Sequence, residues 1–68
     1  MDARRRSLLE ATLDCVAEHG MSGASARRVA ERAGVTAGLI RHYFGSKDAM
    51  VSAAYGYLIG QLTGEAEE

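Results

Sequence analysis

Apolar side chains return along this chain with a helical period, in blocks separated by glycines. Leu9, Leu13, Val16 and Ala17 repeat at i, i+4, i+7 and i+8, an amphipathic stripe that predicts a first helix over about residues 3–18. Leu8, Thr12 and Cys15 widen the stripe, and Arg4, Glu10, Asp14 and Glu18 fall on its wet side. Gly20 stops this helix, with His19 beside the carbonyl end, where positive charge is favoured. Met21 to Ala24 read as a short link, with Met21 expected in the core.

A second block follows. Ser25 can accept a hydrogen bond from a free N–H of a first turn. Val29, Ala30 and Ala33 then share a face, and Gly34 reaches a positive φ at no steric cost. Thr36 can cap the next helix, whose Ile40 and Phe44, four apart, turn its apolar face toward the one before. The result is two short helices, 26–33 and 37–44, around a tight turn, the outline of a helix-turn-helix. Gly45 ends the third helix, and Ser46 caps a fourth with Asp48 in its first turn, where a carboxylate opposes the dipole. That helix is expected over about Lys47 to Leu62. Met50, Val51, Ala54, Leu58 and Leu62 form its stripe, while Tyr55, Tyr57 and Ile59 spread apolar surface around it. Three short neighbours cannot cover so much, which implies a further domain or a partner chain. Gly56, Gly60 and Gly64 recur every fourth residue. This spacing lets two helices approach closely, or it merely loosens one helix by about 1 kcal/mol per glycine. Residues 65–68 are too acidic and short to pack and are expected to fray.

Composition narrows the class. Sixty-eight residues make one small domain of modest core. The absence of proline and the scarcity of β-branched residues leave an all-helical fold. A net charge of −1 argues against a polyanionic partner, but its distribution argues for one. Residues 1–47 hold eight basic and five acidic side chains, a surplus of three positive charges. Residues 48–68 hold four acids (Asp48, Glu65, Glu67, Glu68) and no base. The first part can meet phosphates and the last cannot.

Other chemistries find little footing. Cys15 is the one cysteine, so there is no internal disulfide, and a small buried hydrophobe is the plainer reading than a reactive thiol. No apolar run reaches the ~18–20 residues needed to span a bilayer, and Glu10 and Asp14 interrupt any signal-peptide core, which places the chain in the cytoplasm. Asp14 and Glu18 share a helical face, but nothing nearby encloses a substrate. His42 has one other histidine and no acidic cluster to make a metal site with. No catalytic residue, metal site or cofactor is expected.

Two runs at fixed spacing carry a resemblance. Val29-Ala30, Ala33-Gly34-Val35-Thr36 and then Tyr43-Phe44-Gly45-Ser46-Lys47-Asp48 resemble the DNA-binding head of Tet repressor (TetR) family bacterial transcription regulators. The likeness runs from about Arg5 to Leu62. It implies an all-α fold: a homeodomain-like three-helix bundle over residues 1–46, and a fourth helix over 47–64 that leads to an absent dimerisation and inducer-binding domain. On this reading the chain is an isolated head or a fragment.

The resemblance also implies a site. The recognition helix, Thr36 to Tyr43, enters the major groove of a palindromic double-stranded operator, one helix of a homodimer per half-site. Thr36 bonds a phosphate. Ala37, Gly38 and Leu39 face base edges, touching thymine methyls or letting the helix in close, with no side-chain hydrogen bonds to offer. Arg41 either reads guanine O6 and N7 or holds a phosphate, and the two readings stand equal. Tyrosine is usual there in the family, so the role of that tyrosine does not carry over. His42 and Tyr43 approach phosphates, Tyr43 with its ring on the core. Lys47 grips a phosphate or is a solvated lysine. Ser25 and Arg27 face the backbone or groove edge, Arg28 touches phosphate, and Arg32 is an ordinary exposed charge paired with nearby acids. Arg4, Arg5 and Arg6 form a basic arm or serve solubility. Val29, Ala30, Ile40 and Phe44 are core. Repression by operator binding is the leading function. The alternative is a self-association or protein-interaction module built on the apolar, glycine-spaced fourth helix.

Overall fold

The structure is a computed structural model that describes residues 3–64; the expected fraying of residues 65–68 lies outside them. Four helices run in order: α1 (Ala3–His19), α2 (Ala26–Ala33), α3 (Ala37–Phe44) and α4 (Lys47–Thr63), with one 3-10 turn (Met21–Gly23) between α1 and α2. Among the described residues there is no strand.

Each of the last three helices starts on a hydroxyl cap. The side-chain oxygens of Ser25, Thr36 and Ser46 accept from the backbone N–H of Arg28, Leu39 and Ala49, each at 3.1 Å. Glycine ends α2 and α3. Gly34 sits in the left-handed region at φ 75°. The Val35 N–H reaches the Ala30 carbonyl at 3.0 Å and the Gly34 N–H the Glu31 carbonyl at 3.4 Å, which closes α2 with a Schellman motif. Gly45, at φ 87°, donates to the Arg41 carbonyl at 2.8 Å.

α1 lies in the fork between α2 and α4, and α2 packs on α3. Leu8, Ala11 and Cys15 face Ala24, Val29, Ala30, Ile40 and Met50 in the larger core. Leu9, with Leu13 beside it, meets Ala54 and Tyr57 of α4, and Phe44 touches both clusters. Serving two neighbours, α1 buries a wider sector than one stripe. Its buried residues are Leu8, Leu9, Ala11, Thr12 and Cys15. Thr12 is tolerated there because its hydroxyl donates to the Leu8 carbonyl at 2.8 Å.

Three expected core positions turn outward. Ala17 is exposed, because the buried sector is rotated by about a third of a turn from the stripe read along the chain. Met21 is 54% exposed: the fully buried Ala24, one turn later, is the residue that closes the gap between α1 and α2. Leu62 is 77% exposed, since the last turns of α4 extend beyond the helices it packs on. With Tyr55 and Ile59 also exposed, α4 carries the surplus apolar surface that its composition implies. Phe44 is half-buried, with the Arg5 guanidinium 5.1 Å above its ring.

Candidate nucleic-acid interface

α3 lies on the outside of the bundle with one side free. Ile40 is buried and anchors it, which turns Gly38, Arg41 and His42 to solvent. Thr36, at the helix start, is exposed. Its oxygen is occupied as the cap acceptor, and its hydroxyl proton is left to donate. Leu39 is half-exposed. Ala37 and Tyr43 are half-buried and pack on the core, so each offers an edge and not a whole side chain. The Tyr43 ring sits between its neighbours, edge-on to His42 at 6.0 Å and tilted to Phe44 at 6.1 Å. A side chain added at Gly38 would meet only Thr36 Oγ1, at 3.8 Å; the surface beside it is open.

Two further elements carry the remaining sequence-predicted site residues. Lys47, exposed, is the first residue of α4, directly after the Ser46 cap. At the start of α2, Ser25, Arg27, Arg28 and Glu31 line an open depression of about 400 Å³. Ser25 is half-buried and its oxygen is taken by the cap bond. Arg27 stands 3.8 Å from Glu31, in a pair whose side chains are 87% and 70% exposed. Such a solvated i,i+4 pair is easily exchanged for another anion. Backbone N–H groups at the starts of α2, α3 and α4 add the positive ends of three helix dipoles.

The remaining arginines divide by role. Arg32 bridges α2 to α1, with Nη1 2.7 Å from Glu18 Oε1 and Nε 3.5 Å from Asp14 Oδ2. The Glu18 hydrogen bond raises its pKa further. So it is the paired charge that was expected, and Asp14 and Glu18 are its partners. Arg4, Arg5 and Arg6 belong to the first turns of α1 and form no extended arm.

Arg28 has a partner that sequence reasoning missed: its Nη1 lies 3.4 Å from Nε2 of His19. A histidine at the end of one helix and an arginine nine positions on, with a turn between, give no periodic signal. Cys15, beneath this group, is 1% exposed, and burial pushes its thiol up, against the opposing pull of Arg32 and Arg28. Among the described residues no three His, Cys, Asp or Glu gather as metal ligands, and no helix is long and apolar enough to cross a membrane.

Residues 8–54 match the family model described as bacterial regulatory proteins, tetR family. The chain is 44% identical over 59 residues to the HTH-type transcriptional regulator BetI 1 of Chromohalobacter salexigens, covering 87% of this chain and 29% of that protein. It is 49% identical over 63 residues to the HTH-type transcriptional regulator BetI of Yersinia pestis, covering 93% and 31% respectively. The BetI regulator of Pseudomonas fluorescens is 44% identical over 59 residues, covering 87% and 30%. The chain thus spans about three-tenths of the length of the curated relatives it matches. No solved structure matches it. The family model covers more than half of the chain and takes in all of α2 and α3, the turn between them and the first turns of α4: this chain belongs to the TetR family of bacterial transcription regulators.

Proposed function

We propose that the chain is the operator-binding head of a transcriptional repressor. Two copies bind a palindromic duplex, α3 enters the major groove of each half-site, and the bound pair blocks transcription. The exposed side of α3, with Arg41 at its centre and hydroxyl or amine donors at both ends (Thr36, Lys47), is the observation that carries this reading. Gly38 lets the helix approach closely, and Leu39 and the edge of Ala37 can meet thymine methyls. Ser25, Arg27 and Arg28 reach the backbone on one side; His42, Tyr43 and Lys47 reach it on the other. Dimerisation and inducer binding belong to the longer proteins of the family, and the work is done in the cytoplasm, at the nucleoid when bound. The names of the relatives, HTH-type transcriptional regulators, support the regulatory half of the proposal.

Base reading by α3 falls mainly to Arg41, because Ala37, Gly38 and Leu39 have no side-chain hydrogen bonds to offer. Selection of bound sequences from random DNA, with Arg41→Ala beside the parent, tests this. If Arg41 holds guanine, its loss costs about 1–3 kcal/mol at one base position and relaxes specificity there. Uniform weakening across sequences, with a salt slope smaller by about one, makes it a phosphate contact instead. Unchanged binding by Arg41→Ala removes it from the interface.

A further inference from the structure

His19 ends α1 and meets Arg28, one of the residues read above as DNA contacts. Its Nε2 is placed between two groups of opposite sign. Arg28 Nη1 is 3.4 Å away and Glu18 Oε1 is 3.6 Å away. A guanidinium only donates, so the Arg28 contact needs a bare lone pair on Nε2, which is the neutral ring with its proton on Nδ1. Protonation removes that acceptor. Nε2 then carries a proton that suits Glu18, and two cations face each other where a hydrogen bond had been. We propose that His19 is a positioning residue for Arg28. It holds the guanidinium at the mouth of the α2 depression while the imidazole is neutral, and releases it on protonation, so that the hold of α2 on the DNA backbone weakens as pH falls. The proposal rests on the reading of Arg28 as a phosphate contact.

The surroundings favour a hand-over from one partner to the other. On α1, Glu18 and Asp14 are the charged neighbours of the group; on α2, Arg28 and Arg32 are. Arg32 already engages Glu18 Oε1 at 2.7 Å, which fixes that carboxylate beside the ring. The 3-10 turn of Met21, Ser22 and Gly23 brings no charge. It does bring a constraint: a Cβ at position 23 would collide with the Cβ of His19, so only glycine lets the turn close against this histidine. Arg28 gives one of its five N–H donors to His19 and keeps the others for a phosphate. Ordering such a long side chain at an interface in advance changes affinity by a factor of about 2 to 12.

The test uses the whole 68-residue chain in a His42→Gln background, so that His19 is the one histidine left. Binding to a mixed-sequence DNA duplex is measured at constant salt from about pH 8 to 5.5. The Arg28 Nε–H signal of the free protein is followed by NMR in the same buffers. The expected result is an Arg28 signal that titrates together with the His19 ring, and an affinity lower at the acid end by a factor of about 2 to 12. His19→Gln, whose amide oxygen accepts at every pH, should keep the tighter affinity and lose the pH dependence. An Arg28 signal indifferent to the His19 titration overturns the proposal, as does a His19→Gln chain with the same pH dependence as its parent. Arg28→Ala separates the two layers. If it binds as tightly as the parent at pH 8, the phosphate reading of Arg28 fails, and the DNA half of the proposal with it. The NMR titration, which needs no DNA, decides the positioning half independently.

Discussion

Tyr57 shows what one side chain can add that spacing does not announce. Its position on α4 marks it as apolar surface, and Glu10 is placed by its own helix on the wet side. In the fold the two meet: the Tyr57 hydroxyl donates to Glu10 Oε2 at 2.7 Å and accepts from Gln61 Nε2 at 3.0 Å, tying α1 to α4 across 47 positions of sequence. The bond to Glu10 raises the phenol pKa, with partial burial and the carboxylate charge acting in the same direction. A group whose pKa is higher folded than unfolded stabilises the fold below its unfolded value, here about 10, and that contribution disappears as pH climbs through the folded value. Thermal unfolding followed from neutral to strongly alkaline pH should therefore show a loss of stability above about pH 10 that Tyr57→Phe lacks. At neutral pH the same variant should melt lower than the parent. Equal alkaline slopes in the two proteins would mean that the hydroxyl adds nothing. The His19–Arg28 contact, and which acids pair with Arg32, were hidden from the sequence for the same reason. Each joins residues of two helices whose relative rotation is set by packing, and one chain's periodicity carries no information on that rotation.

At the scale of the element, most of the architecture is local chemistry and was legible. Ser25, Thr36 and Ser46 cap the helices that their positions predict, and Gly34 and Gly45 stop them. These are decisions made within a few residues, so the sequence displays them directly. Which face of α1 is buried is a different kind of question, because α1 answers to α2 and α4 at once. The apolar stripe through Leu9, Leu13, Val16 and Ala17 points to itself as the buried face. The structure puts the centre nearer Leu8, Thr12 and Cys15, with Leu9 and Leu13 turned toward α4 and Ala17 outside. Ser46 gives the cleanest check of the local part, since it caps α4 and is not among the residues assigned to DNA. Ser46→Ala should cost about 1 kcal/mol, within a range of about 0.5–2. In a domain of this size that lowers the melting midpoint by about 4–8 °C. A change of less than a degree in calorimetry would show that water replaces the hydroxyl at no cost.

For the molecule as a whole, charge and exposed surface say how the head is used. The basic residues all fall before Asp48, while α4 contributes one base at its start and no other. Tyr55, Ile59 and Leu62 leave an exposed apolar stretch on the part of the chain that carries no base after Lys47. On the proposed reading a single head has one α3 to offer, and its donors to bases reduce almost entirely to Arg41. One arginine and a handful of phosphate contacts make weak, salt-sensitive binding with little to separate one site from another. Two heads joined at the spacing of the half-sites change this without any new contact, because the second binds at the effective concentration set by the first. The chain alone should therefore shift a palindromic duplex only at high concentration. Fusion of its C-terminal end to a dimerising coiled coil should raise affinity by about 10²-fold or more, provided the linker spans the half-sites. The gain should vanish on a duplex with one half-site scrambled, which distinguishes true bivalence from a general gain in charge. If tethered and untethered heads bind the palindrome equally, the pair of heads is not the binding unit, and a single head must find enough contacts on its own.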